Sequence, residues 1–276
     1  MINFEFMLTF KEKLERCQKL SNSFLSVGLD PDLDLIPLKF RKSKTPLFDF
    51  NKYIIDETNE YVCAYKPNSA FYEAYLDKGI EQLKITTDYL QKNFPDIPII
   101  IDAKRGDIGN TNKGYVKFAL SEEGLNSDAV TLHPYLGGET LQPFLELKAK
   151  GFFILCRTSN PESGEFQNLT LKNGKKLYQE VANKVVKVWN KNGNCMLVVG
   201  ATYPKEIAQV RKIAKDIIFL IPGVGAQGGD LEKTVKAGRD PEGKGIIINS
   251  TREVIYNDSP GLKANEIRER INLYNL

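Results

Sequence analysis

The 276-residue sequence is poor in the residues from which metal centres and many nucleophilic active sites are built. It has a single histidine, His133, and four cysteines with no C-x-x-C spacing, at positions 17, 63, 156 and 195. Three of the cysteines lie in apolar runs, so we expect buried thiols in a reducing compartment and neither a disulfide nor a structural zinc site. A metal site would need more ligands than one histidine, and we expect His133 to have a packing role.

The sequence also lacks a strong charge imbalance and a long apolar run. Its 38 basic and 35 acidic residues are mixed along the chain and give a formal charge of +3, so we expect no binding to nucleic acid or to a membrane surface. No apolar run reaches the roughly 18 residues that a membrane span needs. The N-terminus has no basic segment followed by a cleavage site. We therefore expect a cytoplasmic protein, and the charge balance leaves anionic small molecules open as ligands.

Eight short apolar runs alternate with amphipathic or polar segments along the chain. Intervals of about 22 to 43 residues between the starts of successive runs leave room for a helix after each one. Strand and helix alternating eight times predict a (β/α)8 TIM barrel, with a doubly wound open sheet as the alternative. We expect one domain over residues 1–276, with a leading helix over 4–20 and a closing helix over 262–274. The runs cover residues 23–29, 61–66, 97–102, 129–133, 151–157, 194–200, 217–221 and 245–249.

One segment between these runs shows clear helical periodicity. Apolar residues at positions 177, 181, 185, 188 and 189 fall on one face of a helix after the fifth run.

Polar side chains follow seven of the eight runs, at the end where a barrel of this kind builds its active site. Each one alone is commonly a solvated loop residue. Seven such ends on one rim predict a site. They include Asp30, Lys66, Asn68, Asp102, Lys104, Asp107, Thr131, His133, Arg157, Thr158, Ser159, Asn249, Thr251 and Arg252.

The densest charge follows the third run, in IPIIIDAKRGDIGNT at residues 97–111. Side chains alternate along a strand, so Asp102 and Lys104 should point the same way, and Gly106 lets the backbone turn before Asp107. Two carboxylates and one ammonium therefore meet at a strand's C-terminal end. Taken alone, these residues also fit a salt-bridged surface turn.

The ends of the seventh and eighth runs predict a phosphate site. The glycine-rich loop PGVGAQGGD at residues 222–230 can bring backbone N–H groups close to an anion, and loops after strands seven and eight commonly bind phosphate in this fold. Gln227 adds a side-chain donor, and Arg252 adds a planar fork for two phosphate oxygens.

Three segments together resemble one protein family. The sequence YKPN at 65–68, DAKRGDIGNT at 102–111 and PGVGAQGGD at 222–230 are similar, in matching order, to the orotidine 5′-phosphate decarboxylases, in particular their longer branch. The resemblance implies a barrel homodimer that needs neither cofactor nor metal. It also implies conversion of orotidine 5′-monophosphate to uridine 5′-monophosphate in de novo pyrimidine biosynthesis.

The resemblance further implies the catalytic residues. They would be a charged network of Lys66, Asp102, Lys104 and Asp107, with Lys104 as the proton donor. Asp107 would complete the site of the neighbouring subunit.

The same resemblance implies the residues that bind substrate. Gln227 and Arg252 would bind the phosphate, and one of Thr158 and Ser159, in the segment RTSNP, would read the pyrimidine edge; both remain open. The ribose would be approached by Asp30 and Lys66, with Asn68 as a further binding residue and with Thr111 beside Asp107.

Elementary chemistry agrees with a lysine at the centre of such a site. Loss of CO2 from an sp2 ring carbon leaves a carbanion without an adjacent electron sink, so the protein must supply a positive charge and then a proton. Lys104 can supply both. Asp102 would repel the substrate carboxylate in the ground state, and the phosphate contacts would offset that repulsion. No nucleophile is required.

Two other functions also fit parts of the sequence. A metal-assisted epimerase or aldol-type synthase acting on a phosphosugar would need additional metal ligands near Asp102. A non-catalytic nucleotide-binding barrel would keep Gln227 and Arg252 but would have no need of the paired lysines and aspartates.

Overall fold

The computed structural model describes residues 8–225 and 228–275, and its strands form one parallel eight-stranded sheet in the order β2-β1-β8-β7-β6-β5-β4-β3. Isolated parallel bridges, Tyr65 to Ile99 and Asn68 to Asp102, connect β2 with β3 and nearly close the sheet into a barrel. The predicted TIM barrel is confirmed, and the open-sheet alternative is wrong. The strands are β1 Leu25–Gly28, β2 Ala64–Lys66, β3 Ile100–Arg105, β4 Ala129–Leu132, β5 Gly151–Arg157, β6 Cys195–Val199, β7 Phe219–Pro222 and β8 Ile246–Ser250.

Helices connect the strands and surround the sheet. None of those in the described ranges is long and apolar enough to cross a membrane. They are α1 Phe10–Ser21, α2 Leu38–Arg41, α3 Pro46–Thr58, α4 Ala70–Glu73, α5 Leu76–Asn93, α6 Gly109–Leu120, α7 Gln142–Leu145, α8 Gly164–Gln167, α9 Leu177–Lys184, α10 Pro204–Ile213, α11 Leu231–Gly238, α12 Arg252–Ile255 and α13 Pro260–Asn275.

Helix α1 packs against the N-terminal ends of the strands. It starts at a capping box in which Thr9 Oγ1 accepts the Glu12 N–H and Glu12 Oε2 accepts the Thr9 N–H. The helix therefore begins at Phe10, and the start predicted at residue 4 lies outside the described residues. The Phe10 ring packs edge-on against Phe153 of β5, with 5.6 Å between centroids. With this end of the barrel covered, the opposite end remains for a binding site.

The barrel interior and the layer between sheet and helices are apolar. Strand residues such as Val27, Ile101 and Leu197 have no exposed surface. All four cysteines are buried free thiols, as predicted. Burial raises the pKa of Cys156 to about 12, so this thiol stays protonated and inert at neutral pH.

The helix after β5 differs from the predicted periodicity. Helix α9 passes into a π-helical turn over Val185–Trp189, which changes the angle between successive side chains. Val185 is buried, whereas Val188 is 46% exposed. The prediction of one continuous apolar face through Val188 is therefore wrong.

Candidate active site

A cavity of about 1000 Å³ opens at the C-terminal ends of the strands. Its position follows from the fold, because parallel strands bring all their C-terminal ends to one rim. Predicted site residues that line it are Asp30, Lys66, Asn68, Asp102, Lys104, Thr158, Ser159 and Arg252. Asp107 and Thr111 do not line it, and Gln227 lies outside the described residues.

Asp102 is the centre of a charged array at the floor of the cavity. Its Oδ2 accepts a hydrogen bond from Lys66 Nζ at 2.9 Å, and its Oδ1 accepts one from Lys104 Nζ at 2.6 Å. The Lys66 side chain is only 4% exposed, whereas that of Lys104 is 46% exposed. The two lysines therefore differ in environment, and the Lys104 ammonium is the one available to a ligand.

The buried members of this array are held in their charged forms. Burial alone would raise the pKa of Asp102, but Lys66 and Lys104 outweigh it and hold that pKa well below its usual range. Burial alone would lower the pKa of Lys66, but Asp102 and Asp30 outweigh it and raise the pKa above its ordinary value. At neutral pH the Asp102 carboxylate is therefore ionised and accepts a hydrogen bond from the protonated Lys66.

Asp30 and Asn68 lie beside the array. Asp30 Oδ1 accepts the Asn68 backbone N–H at 3.0 Å. Burial raises the pKa of Asp30, an effect that Lys66 opposes and Asp102 reinforces. Both side chains face the same cavity as Lys104, so they can contact a ligand that Lys104 also touches.

The backbone at Lys104 is left-handed, with φ of 47°, which is uncommon for a residue other than glycine. Ile101 of β3 pairs with Val130 of β4, but the next pair is Arg105 with Leu132, so the register shifts between them. Asp102 and Lys104 do contact each other. The alternation of side chains along a regular strand is, however, the wrong reason for this contact, because the strand is irregular between them. The bulge turns Lys104 toward the carboxylate.

Thr131 of β4 supports this irregular segment. Its Oγ1 accepts the Lys104 backbone N–H at 2.9 Å and donates to Asp102 Oδ1 at 2.9 Å. One hydroxyl thus fixes both the strained backbone and the carboxylate beside it. The sequence placed Thr131 at a strand end without indicating this function.

His133 supports the turn that follows. Its Nε2 lies 2.8 Å from the Gly106 carbonyl oxygen, and a Cβ added at Gly106 would come within 2.7 Å of the same ring nitrogen. This contact fits the packing role predicted for His133 and explains why a glycine stands before Asp107.

Asp107 and Thr111 lie on the outer rim, beyond the end of β3. Asp107 Oδ1 accepts the Ile108 N–H at 2.7 Å, and the Asp107 N–H donates to Asn112 Oδ1 at 3.0 Å. Thr111, on α6, is exposed and borders a shallow surface depression with Tyr115. Within the described chain, these two side chains are separate from the cavity that holds the charged array.

The loop after β5 gives Thr158 and Ser159 different surroundings. The Thr158 hydroxyl accepts from Gln167 Nε2 at 2.8 Å and donates to Asn160 Oδ1 at 2.7 Å. Among the described residues, neither the N–H nor the hydroxyl of Ser159 has a hydrogen-bond partner. Ser159 packs so closely on Gly200 that a Cβ there would lie 2.6 Å from the Ser159 nitrogen. Ser159 therefore presents two donors that are not already engaged.

The glycine-rich loop and Arg252 follow β7 and β8, and Gly223 and Arg252 line the same cavity. Gly223, Gly225 and Gly228 all have positive φ, a conformation that favours glycine. The Gly229 N–H donates to the Gly223 carbonyl, which folds the loop back on itself. Arg252 is exposed at the start of α12, and its guanidinium has no hydrogen bond or ion pair among the described residues. It is free to bind an anion.

Sequence patterns indicate no specific role for several residues that line the cavity. Asn249 and Thr251 stand in the sequence only as polar residues after the eighth run. Tyr203 and Gln167 belong to no motif, and no local pattern places them at the cavity. They are brought there by the loops after β6 and β5.

Comparisons with known proteins agree on one family. The model of the "Orotidine 5'-phosphate decarboxylase / HUMPS family" matches residues 23–267. The orotidine 5'-phosphate decarboxylase of Janthinobacterium sp. (strain Marseille) is 45% identical over 249 residues, which cover 90% of this chain and 90% of the relative. That of Dechloromonas aromatica (strain RCB) is 42% identical over 274 residues, 97% of this chain and all of the relative. Among solved structures, Leishmania donovani OMP decarboxylase is 36% identical with a TM-score of 0.87, covering 97% of this chain and 99% of that one.

Proposed function

The chain belongs to the orotidine 5'-phosphate decarboxylase / HUMPS family, and from that membership we propose that it converts orotidine 5′-monophosphate to uridine 5′-monophosphate in de novo pyrimidine biosynthesis. The observation that carries the proposal is the array of Lys66, Asp102 and Lys104 at the floor of the cavity. A phosphate-binding barrel has no need of such an array unless charge develops during a reaction.

In the proposed reaction, Lys104 stabilises and then protonates the ring carbon. The bond from C6 to the carboxylate breaks, CO2 leaves, and the electron pair remains on C6. The Lys104 ammonium, at about 4 Å, stabilises that charge by about 4 kcal/mol at an effective dielectric constant of 20. It then transfers one proton to C6 and regains a proton from solvent.

Asp102 has two functions in this proposal. It holds the Lys104 ammonium in place through the 2.6 Å hydrogen bond. It also places a negative charge beside the position of the substrate carboxylate and so raises the free energy of the bound ground state. Binding free energy from the distant phosphate offsets that repulsion.

The cavity supports an assignment of the three parts of the substrate. The phosphate lies between the glycine-rich loop, with Gln227 as a further donor, and the free guanidinium of Arg252. The ribose lies near Asp30, Asn68 and Lys66. The pyrimidine edge is read by Ser159 in preference to Thr158, because the Thr158 hydroxyl is engaged by its neighbours, whereas neither Ser159 donor has a partner in the part of the chain that the structure describes.

We further propose a cytoplasmic homodimer in which Asp107 and Thr111 complete the partner's site. By family resemblance Asp107 is a catalytic candidate and Thr111 a substrate-binding one, yet both lie on the outer rim of their own chain, outside its cavity. Apolar side chains are exposed in the same region: Ile108 is 62% and Tyr135 87% exposed. A second copy packed on this rim would cover them and would bring Asp107 to the other cavity.

The metal-assisted phosphosugar alternative is less well supported. Asp102 is the carboxylate such an enzyme would use, but its oxygens are bonded to Lys66, Lys104 and Thr131. Two adjacent ammonium groups repel a divalent cation, and they occupy the positions from which it would be bound.

Ultraviolet absorbance of orotidine 5′-monophosphate, followed with purified protein, tests the proposal. We expect turnover to uridine 5′-monophosphate at the same rate with and without exhaustive chelation. An unchanged substrate would refute decarboxylation. A rate that returns only with an added divalent metal would favour the phosphosugar alternative.

A further inference from the structure

Both ends of the Gln167 side-chain amide form hydrogen bonds with Thr158, a residue that lines the cavity. It lies at the end of α8, and its Oε1 accepts the Thr158 backbone N–H at 2.9 Å, while its Nε2 donates to Thr158 Oγ1 at 2.8 Å. Both ends of the amide are thus engaged within the protein, although the residue borders the cavity. Its position suits a side chain that shapes the loop after β5, and not one that binds ligand itself.

Arg157 ties the same loop to the barrel. Its side chain is 1% exposed, and no carboxylate pairs with it among the described residues. Its guanidinium donates to Ser163 Oγ, to the Thr158 carbonyl at 3.1 Å and to Gln167 Oε1 at 3.3 Å, and it lies 3.9 Å from the Tyr203 ring centroid. Burying a cation is costly unless acceptors surround it. These neutral acceptors and the ring therefore have to keep their positions, which restrains the loop.

The hydrogen bonds of the Thr158 hydroxyl determine which atom of the Asn160 amide it contacts. Thr158 has a single hydroxyl proton, and because Gln167 Nε2 donates to its oxygen, that proton points to Asn160 Oδ1 at 2.7 Å. The Asn160 amide then has its oxygen occupied, and its Nδ2 group has no hydrogen-bond partner among the described residues. Asn160 lines the cavity, so this Nδ2 is available to a carbonyl oxygen of a ligand.

We infer that Gln167 is a positioning residue for recognition of the pyrimidine. Through Thr158 it orients Asn160 so that Asn160 Nδ2 donates to a carbonyl oxygen of the ring. The inference rests on the proposed function, because a pyrimidine-dione is the part of the substrate that offers such carbonyls near Ser159. We call this chain of contacts, from Gln167 through Thr158 to Asn160, the relay. Arg157 supports it through its hydrogen bond to Gln167 Oε1.

Binding of two ligands to four variants tests the relay. The ligands are uridine 5′-monophosphate and ribose 5-phosphate, which lacks the ring, and binding is measured by titration calorimetry. The variants are Gln167→Leu, Asn160→Ala, the double variant and Gln142→Leu. Gln142 is an exposed glutamine on α7 with one 3.3 Å side-chain hydrogen bond and serves as the matched control.

We expect Gln167→Leu and Asn160→Ala each to weaken the nucleotide about tenfold, the effect of losing one well-placed hydrogen bond. Ribose 5-phosphate should bind within twofold of wild type in every variant, and Gln142→Leu should change neither ligand. The double variant should be no weaker than either single one, because both substitutions remove the same contact.

Three results would overturn the inference. Equal losses for both ligands would mean that Gln167 only maintains the fold. If Gln167→Leu binds the nucleotide as tightly as the control Gln142→Leu, the relay does not affect binding. If the losses of affinity add in the double variant, Gln167 does not act through Asn160. Wild-type protein that neither binds the nucleotide nor decarboxylates orotidine 5′-monophosphate would instead refute the proposed function, and the inference with it.

Discussion

Replacing Asp102 with asparagine leaves two ammonium groups facing each other without the carboxylate between them. The Asp102 and Lys66 side chains are 11% and 4% exposed, so water cannot compensate the lost charge. Asparagine keeps the shape, but its NH2 group would have to point at one of the lysines. Removing one partner of a buried ion pair costs about 3–5 kcal/mol, and we expect Asp102→Asn to lose about that much free energy of unfolding at pH 7.

Urea denaturation at one fixed protein concentration measures this loss. The matched control is Asp56→Asn, which removes the carboxylate of the exposed pair with Lys52, where the side chains are 39% and 45% exposed. Such a pair contributes at most about 1 kcal/mol. A large loss of unfolding free energy in Asp102→Asn and a small one in Asp56→Asn would show that burial of the array causes the effect, and not the loss of a carboxylate as such.

The difference in unfolding free energy between wild type and Asp102→Asn should also change with pH in a direction that can be predicted. The folded-state pKa of Asp102 is depressed because Lys66 and Lys104 outweigh burial. Its contribution is therefore present above the unfolded-state pKa of about 4 and is lost as the pH falls through the folded-state value. The gap between wild type and Asp102→Asn should be constant from about pH 5 to 8 and should shrink below about pH 4. A gap under 1 kcal/mol at pH 7, or one that widens on acidification, would refute the reasoning.

Three further predictions concern other parts of the site. Mixing Lys104→Ala and Asp107→Ala chains under conditions of dimer exchange should restore roughly a quarter of wild-type activity. Half of the dimers would be hybrids, and each hybrid would have one intact site out of two. No recovery despite proven exchange would place Asp107 in its own chain's site. Arg252→Ala should weaken uridine 5′-monophosphate about tenfold or more and leave uridine unchanged in calorimetry; equal losses would place Arg252 elsewhere. Gly200→Ala should lower the free energy of unfolding by about 1–3 kcal/mol in urea denaturation, because its Cβ would overlap the Ser159 backbone; an unchanged midpoint would contradict that contact.

Most of the fold could be predicted from short-range patterns. Each of the eight apolar runs overlaps a strand, because strands covered on both faces need uninterrupted apolar side chains. Parallel strands then place all their C-terminal ends on one rim. This is why polar residues as distant in sequence as Asp30, Asp102 and Arg252 could be predicted to share one site.

The rest depends on contacts that no local pattern specifies. The bulge that turns Lys104 arises from the pairing of β3 with β4 and from the Thr131 hydroxyl. Gln167 reaches Thr158 only because the loop after β5 returns to the rim, and this contact is what distinguishes Thr158 from Ser159. In the proposed homodimer, the cavity that Asp107 completes would belong to the second chain, which no pattern within one chain can place.

The most direct test of the proposed chemistry is a paired measurement on Lys104→Ala. Decarboxylation of orotidine 5′-monophosphate should fall by at least about 1000-fold, since the charge and the proton donor are both lost. Affinity for uridine 5′-monophosphate, which carries no negative charge at C6, should stay within about tenfold of wild type. Lys52→Ala, at an exposed ion pair on α3, should change neither quantity. Turnover by Lys104→Ala within about tenfold of wild type would contradict the assignment of Lys104 as the group that stabilises and protonates the ring carbon.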